Sequence, residues 1–298
     1  MDTFFSMTSL RPAIFRLFFC LSLLSNVCLK AQQHQELGLM AGVANYYGDL
    51  QQSWFPNYGY EPMGGIIYKY FMNPHIGIRT GLSYTNLTAS DALSNNPAQQ
   101  ARNLSFSTHL VELHAALEIN FAPLEIRKAH FTPYIFGGIA LFYYNPYATD
   151  PQGNKVYLRP LSTEGEGLSM YPDRKEYSLV NMSFPFGGGF KVLIAKHIVL
   201  AYELGFRYTN TGYLDDVSKS YVSLNTLLMN KGPISAEMSY RGNTAPGWNR
   251  AYPNYGDTRG NPNSNDWYWY GNITLTFFFR QFNGHGEPQK TDCPRLFR

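Results

Sequence analysis

Charge is scarce in this sequence. Only 15% of its 298 residues are Asp, Glu, Lys or Arg, against about 25% in an average domain. The net charge is +3 and no basic stripe occurs, which excludes an electrostatic nucleic-acid surface. Long apolar runs are missing too. A membrane helix needs about 20 consecutive apolar residues. The longest run here, Leu17 to Leu29, has 13 positions and contains Ser22, Ser25 and Asn26. Cysteine is rare, with Cys20, Cys28 and Cys293 alone. Aromatics, by contrast, make up 16% of the chain. That balance excludes a disordered protein, which would be charged and aromatic-poor.

The first segment has the order of a secretory leader. Arg11 and Arg16 precede the apolar run, and Leu29-Lys30-Ala31 ends it. A positive region, a short apolar core and a small residue at the cut define such signals. Residues 1–31 are therefore expected to be a signal peptide, cut after Ala31 or Gln32. Phe19 and Val27 stand before Cys20 and Cys28, where a lipoprotein signal has a small residue, so lipidation is not expected. Losing Arg11, Arg16, Lys30 and Asp2 leaves a charge of about +1. Only Cys293 remains, so no disulfide framework holds the exported chain.

The rest reads as strands. In Ser105 to Phe121, Val111, Leu113, Ala115, Leu117, Ile119 and Phe121 share one face; Glu112, His114, Glu118 and Asn120 share the other. Strict alternation is the period of a β-strand. Ten residue steps, tilted near 40°, rise roughly 25 Å, the height of a barrel's lipid-facing band. Similar patterns occupy Glu36 to Tyr47, Pro62 to Phe71, Ile76 to Leu87, Phe131 to Tyr144, Phe184 to Ile194, Ile198 to Tyr208 and Trp267 to Arg280. With Ser105 to Phe121 that makes eight. Neither a repeat nor a domain linker is evident.

A soluble lipocalin-like barrel also alternates, with its apolar side inward. Loop lengths favour the membrane version. The connections at Met72-Asn73-Pro74-His75, Ala122 to His130 and Ala195-Lys196-His197 are short. Those at Gly48 to Glu61, Thr88 to Asn103, Asn145 to Tyr177 and Thr209 to Asp266 are long. Short periplasmic turns alternating with long external loops are the outer-membrane pattern. It gives an even strand number and puts both termini in the periplasm. Tyr46, Tyr47, Tyr70, Phe71, Tyr143, Tyr144, Trp267 and Trp269 fall near strand ends, where interface girdles lie. The last strand ends in alternating apolar residues finishing at Phe279, like the terminal strand of outer-membrane proteins. The expected fold is an all-β, eight-stranded antiparallel transmembrane barrel at 32–280, with a flexible periplasmic tail at 281–298.

Eight strands leave room only for side chains inside. The inward polar set is expected to include Arg79, Glu112, His114, Glu118, Lys191, Glu203 and Arg207. Buried charges must be paired, and both signs are present, so a solid salt-bridged plug is expected rather than a large channel. Chemical sites are weak. His109 and His114 are five apart and face opposite sides of one strand. Glu112 and His114 share a face and read as plug. Gly187-Gly188-Gly189 lacks the Lys-Ser/Thr and helix of a phosphate loop; glycines in a barrel strand mark bends or close packing. No G-x-S-x-G or H-E-x-x-H occurs. Neither catalytic residues nor a cofactor or metal are assigned. Glu164, Glu166, Asp215 and Asp216 have the oxygen ligands a divalent cation takes, yet acidic residues in such loops more often form turns and caps. Lys219 to Met229 has helical spacing at Tyr221, Leu224, Leu227 and Leu228.

Several motifs resemble the DUF6089 family of the Bacteroidota. They are Glu36-Leu37-Gly38 with Tyr46-Tyr47-Gly48-Asp49-Leu50, Asn73-Pro74-His75, Arg102 to Phe106 and Phe131-Thr132-Pro133-Tyr134. Further along come Pro160 to Gly167, with Thr163, Glu164 and Gly165 inside it, Tyr213 to Ser218 with Asp215 and Asp216, and Asn265-Asp266-Trp267-Tyr268. Their order from Glu36 to Arg280 carries the resemblance. The family includes PorG-like outer-membrane barrels of the type IX secretion system. The resemblance therefore implies a periplasmic partner, the PorK/PorN ring complex, which nothing in composition or spacing shows.

The functional expectation is a non-enzymatic integral outer-membrane barrel that anchors or positions type IX secretion machinery through its periplasmic turns and tail. The alternative is a structural or surface-binding barrel that uses its long external loops, whose Tyr, Asn, Gly and Pro suit binding. A lipid-modifying outer-membrane enzyme is a minor alternative, for which no Ser-His pair in trusted register is found.

Overall fold

The computed structural model describes residues 34–124, 130–245 and 250–280. The expected leader at 1–31, the tail at 281–298 and Cys293 lie outside the described residues.

Eight long strands carry the fold: β1 His34–Tyr47, β2 Glu61–Phe71, β3 Ile76–Ser90, β4 Ser105–Asn120, β5 Phe131–Tyr143, β6 Val180–Ala195, β7 Ile198–Thr209 and β8 Trp267–Arg280. Each pairs antiparallel with its neighbours in sequence, and β1 pairs with β8. The sheet closes on itself, so no edge of the eight-stranded wall is left open.

The alternation of side chains fixes which face is in. On β4 every even position from Phe106 to Asn120 is buried and His109 to Ile119 are exposed at odd positions. The inward set is polar in the lower barrel. The outward set is Val111, Leu113, Leu117 and Ile119 on β4, Ile78, Leu82 and Tyr84 on β3, and Phe184, Phe186, Phe190 and Val192 on β6, all exposed. Polar inside and apolar outside is stable only with lipid around the wall. This is a transmembrane barrel, and the soluble alternative is excluded. Among the described residues no helix is long and apolar enough to cross a membrane.

Turn chemistry sets the short connections. Asn73 Oδ1 accepts from the backbone N–H groups of His75 and Ile76 at 2.9 and 2.8 Å, a side-chain-closed turn. Only Lys196 and His197 join β6 to β7. The strands match the sequence reading closely, with two extensions. β3 continues to Ser90, because Leu87 and Ala89 keep the inward parity of Arg79 and Ser83. β6 begins at Val180, four residues early, because Val180 to Ser183 pair with Tyr143 to Ala140. Opposite Pro185 the β5–β6 ladder is interrupted, since proline has no N–H to give.

The long connections all lie at one end and fold together over the barrel mouth. They add a hairpin of Tyr147–Thr149 and Lys155–Tyr157, and three short helices: α1 Pro97–Arg102, α2 Leu224–Lys231 and α3 Pro233–Ser239. The helix expected over Lys219 to Met229 is displaced. Tyr221 is extended instead, its N–H bonded to Asp257 O at 2.9 Å, and Gly232-Pro233 splits the helical stretch into two. Leu214 and Val217 descend into the mouth and join one apolar cluster with Tyr46, Leu110, Tyr144 and Tyr268 of the wall.

Candidate functional site

The interior is built by parity alone: charged residues at inward positions of six strands meet on the axis. Arg79 of β3 makes a two-pronged pair with Glu203 of β7, at 2.5 and 3.1 Å, and reaches Glu118 of β4 at 3.4 Å. Glu118 also holds Lys69 at 3.1 Å and pairs with Lys191. Tyr134 donates to Glu203 at 2.8 Å. Nearer the loops, Glu112 accepts from Arg207 at 3.2 Å and Tyr268 at 2.6 Å. His114 Nδ1 lies 3.3 Å from the other Glu112 oxygen. Arg79 and Arg207 lie over the rings of Phe136 and Tyr270, at 4.3 and 3.9 Å.

All seven inward residues named from the sequence sit in this plug, each 3% exposed or less. Lys69 and Glu36 belong with them and were missed. Both were legible, since Lys69 has the parity of Met63 and Ile67, and Glu36 opposes Leu37. With them, four buried carboxylates (Glu36, Glu112, Glu118, Glu203) face four buried cations (Lys69, Arg79, Lys191, Arg207). Glu118 contacts Lys69, Arg79 and Lys191, Glu203 contacts Arg79 and Glu112 contacts Arg207, while Glu36 bonds His34 and Thr276; direct pairing across the axis fills the interior as a plug. Gly187 to Gly189 lie within β6, paired with Glu203 to Gly205 of β7; they cradle no phosphate.

Above the plug, the loop motifs form a second polar layer, and it is acidic. Tyr46 at the top of β1 points its hydroxyl between two carboxylates, Asp215 Oδ2 at 2.6 Å and Asp266 Oδ1 at 3.0 Å. One hydroxyl proton cannot fully serve both acceptors, so the group is best satisfied when one of the two carboxyls is protonated and donates to the Tyr46 oxygen. Burial, and then the charge of Asp266, hold Asp215 well above the usual carboxylate range; burial does the same to Asp266. Gly48 makes room for this group: a Cβ there would lie 2.0 Å from the Tyr46 hydroxyl and 2.1 Å from Asp266 Oδ1. Asp49 beside it accepts from Asn261 N at 3.1 and 3.0 Å.

Asp216 turns the other way, accepting from Thr163 at 2.5 Å and Tyr177 at 2.7 Å. Burial pushes it up to about 6 against the pull of Arg259. Glu164 accepts from the N–H groups of Ser218 and Lys219 and from Arg259 at 3.1 Å, so it is fully paired. Glu166 accepts from Glu164 N at 3.1 Å through one oxygen only. Burial, with the charges of Asp216 and Glu164, pushes it up to about 8. Gly165 supplies the positive φ of +82° that lets the segment turn between these two glutamates. Gly167 N donates to Arg174 O at 2.7 Å, and Pro160 O accepts from Lys231 at 3.1 Å. Tyr213 stacks on Tyr177, ring centroids 4.9 Å apart.

The four acidic residues that suggested a cation thus fall into two groups that point apart. Among the described residues no three His, Cys, Asp or Glu side chains converge as metal ligands. Their partners are backbone N–H groups, hydroxyls and Arg259. The cations that tie the cap, Arg102 to Asp91 at 2.7 and 2.8 Å and Arg259 to Glu164, were not found from sequence. Arg102 ends the short helix α1 and Arg259 lies in an irregular segment 157 residues on, and neither place has a period to mark it.

A family model described as a domain of unknown function, DUF6089, matches residues 14–160, just under half the chain. No curated protein sequence matches the chain. Among solved structures, the chain is similar to Neisserial surface protein A at 10% identity and a TM-score of 0.41, covering 82% of this chain and 97% of that one. It is similar to OprG from Pseudomonas aeruginosa at 10% and 0.37, covering 84% and 97%. It is also similar to Ail of Yersinia pestis, in complex with the heparin analogue sucrose octasulfate, at 8% and 0.36, covering 84% and 100%.

Proposed function

We propose that the protein is a non-enzymatic outer-membrane barrel that anchors or positions type IX secretion machinery through contacts at its short-turn end. The observation that carries the non-conducting half of this reading is the filled interior, four carboxylates against four cations under a packed cap. A barrel without a through path acts by its surfaces. The secretion half is supported by the ordered motifs that resemble DUF6089 and by the family-model match over residues 14–160. In this reading both termini and the turns at Met72–His75 and Ala195–His197 face the periplasm, and the partner is the PorK/PorN ring complex. Crosslinking in intact outer membranes, followed by mass spectrometry of what the barrel carries down, tests it. Recovery of ring components crosslinked to the turns is the expected result. Good recovery of the barrel without them overturns the secretion half.

A second reading has its own observation. The cap is an ordered surface containing an open polar cleft of about 300 Å³, lined by residues including Asn103, Asp150, Glu237 and Arg241. In that reading the barrel is a scaffold for surface binding, and removing the hairpin and α3 abolishes ligand binding while secretion continues.

A further inference from the structure

The outward rungs of β3 and β4 mark where the lipid band ends. Ile78↔Leu117, Leu82↔Leu113 and Tyr84↔Val111 are apolar; the next outward rung is Asn86↔His109, followed by Thr88↔Ser107. The change from alkyl chain to headgroup therefore falls between Tyr84 and His109. At that height β5 has ended, at Tyr143, and the upper edge of β4 is taken by the hairpin, Ser107 pairing with Tyr147. Within the hairpin Tyr147 opposes Tyr157 and Thr149 opposes Lys155. These four point the same way by the strand period, while Ala148 is buried behind them.

The outcome is a cation fixed in an aromatic frame on the outside of the wall. Lys155 Nζ lies 3.6 Å from the Tyr147 ring centroid, 5.1 Å from that of Tyr157 and 3.4 Å from His109 Nε2. His109 Nδ1 lies 2.9 Å from the Tyr84 hydroxyl, and the two rings are stacked. An ammonium and an imidazole nitrogen do not attract when both are charged. In this arrangement the neutral imidazole accepts from Lys155 at Nε2 and donates from Nδ1 to Tyr84. The remaining N–H bonds of Lys155 are left for a ligand. The carboxylate nearest in sequence, Asp150, is turned into its own loop, accepting from Asn154 N at 2.7 Å and Asn154 Nδ2 at 3.0 Å. The described partners of Lys155 are thus rings and an imidazole, and its positive charge faces the headgroup layer.

We propose that Tyr84, His109, Tyr147, Lys155 and Tyr157 form a binding site for the phosphate of a membrane lipid headgroup. Two features carry this. The site is continuous with the lipid-facing wall, so a lipid whose chains lie along Ile78, Leu82 and Leu113 presents its phosphate at the height of Lys155. The charge is complementary, and the Tyr84 hydroxyl, accepting from His109, keeps its own O–H to donate to a phosphate oxygen. The occupant is a lipid, because a soluble anion would gain nothing from the apolar wall below.

The test uses the full chain in detergent micelles, with native mass spectrometry counting retained lipid. The probes are lipid A, phosphatidylglycerol and, as the zwitterionic reference, phosphatidylcholine. Wild type is expected to retain lipid A and phosphatidylglycerol at least fivefold better than phosphatidylcholine. Lys155→Ala is expected to abolish that preference, and Lys155→Arg to keep it within about twofold. All three proteins should show the same heat-modifiable migration on gels, which verifies folding. Equal retention by wild type and Lys155→Ala overturns the proposal. So does inorganic phosphate binding at Lys155 with no preference among the lipids, which would assign the site to a soluble anion.

Discussion

Glu166 is a residue whose charge the cap tolerates poorly. Its folded value is raised to about 8, from an ordinary carboxylate near 4.5. A raised acid binds protons more tightly folded than unfolded, so its contribution is complete below about pH 4.5. It is lost progressively as pH rises to about 8. Asp215 and Asp266 are raised as well and act in the same direction. The cap is therefore expected to loosen from pH 5 to pH 8. Hydrogen exchange over 160–167 and 210–220, corrected for intrinsic rate, should rise more than tenfold across that range. Glu166→Gln keeps the acceptor for Glu164 N and removes the ionisation, so most of the rise should disappear; an unchanged rise would assign it to the aspartates. In the plug the logic is different, since Glu112, Glu118 and Glu203 each contact a cation directly. Arg79→Met leaves Glu203 uncompensated, while Glu118 keeps Lys69 and Lys191, and should cost roughly 3–5 kcal/mol in urea unfolding from vesicles. Adding Glu203→Gln should restore most of that, because the stranded charge is then gone.

Strands obey one rule throughout, and substitutions should follow their parity. Leu113 is 54% exposed on the middle of the lipid face, with Leu82 opposite it. Leu113→Lys should destabilise by about 2–4 kcal/mol, as cations do near a bilayer midplane. Thr88→Lys, three rungs higher at the headgroup level, should cost under about 1 kcal/mol. Urea midpoints of the two variants in the same vesicles compare them directly, and equal losses would misplace the band. That same rule explains what the sequence could reveal. A period of two, held over 11 to 16 residues per strand, identified all eight strands and placed Arg79, Glu112, His114, Glu118, Lys191, Glu203 and Arg207 inside. Pairing was less legible, because parity says that Arg79 is inside but not that Glu203, 124 residues away, meets it. The cap was the least legible of all. Asp215 and Asp216 stood out as an acidic pair, but adjacent residues in an irregular turn have no shared face. Their separation onto Tyr46 and Thr163 depends on how four loops dock.

Taken whole, the barrel is closed three times over: by its ladder, by its plug and by its cap. The ladder removes every lateral opening. The plug fills the lower and middle barrel with paired charge, and the cap sends Leu214 and Val217, both essentially unexposed, into the mouth. Removing the cap alone should not open a conducting path, because Arg79, Glu118, Lys191 and Glu203 still meet across the axis beneath it. An ion crossing there must separate buried pairs whose desolvation costs several kcal/mol each. Planar-bilayer recordings should therefore show no conductance above the empty bilayer for the full chain, nor for a variant with 211–264 replaced by a short Gly-Ser turn. Paired removal of the central charges, Arg79→Ala with Glu203→Ala in that shortened variant, takes out two large side chains at one level and should be the first change to admit small ions. Steady channels in the unmodified protein would mean that the plug moves, and a transport role would then displace the anchoring one.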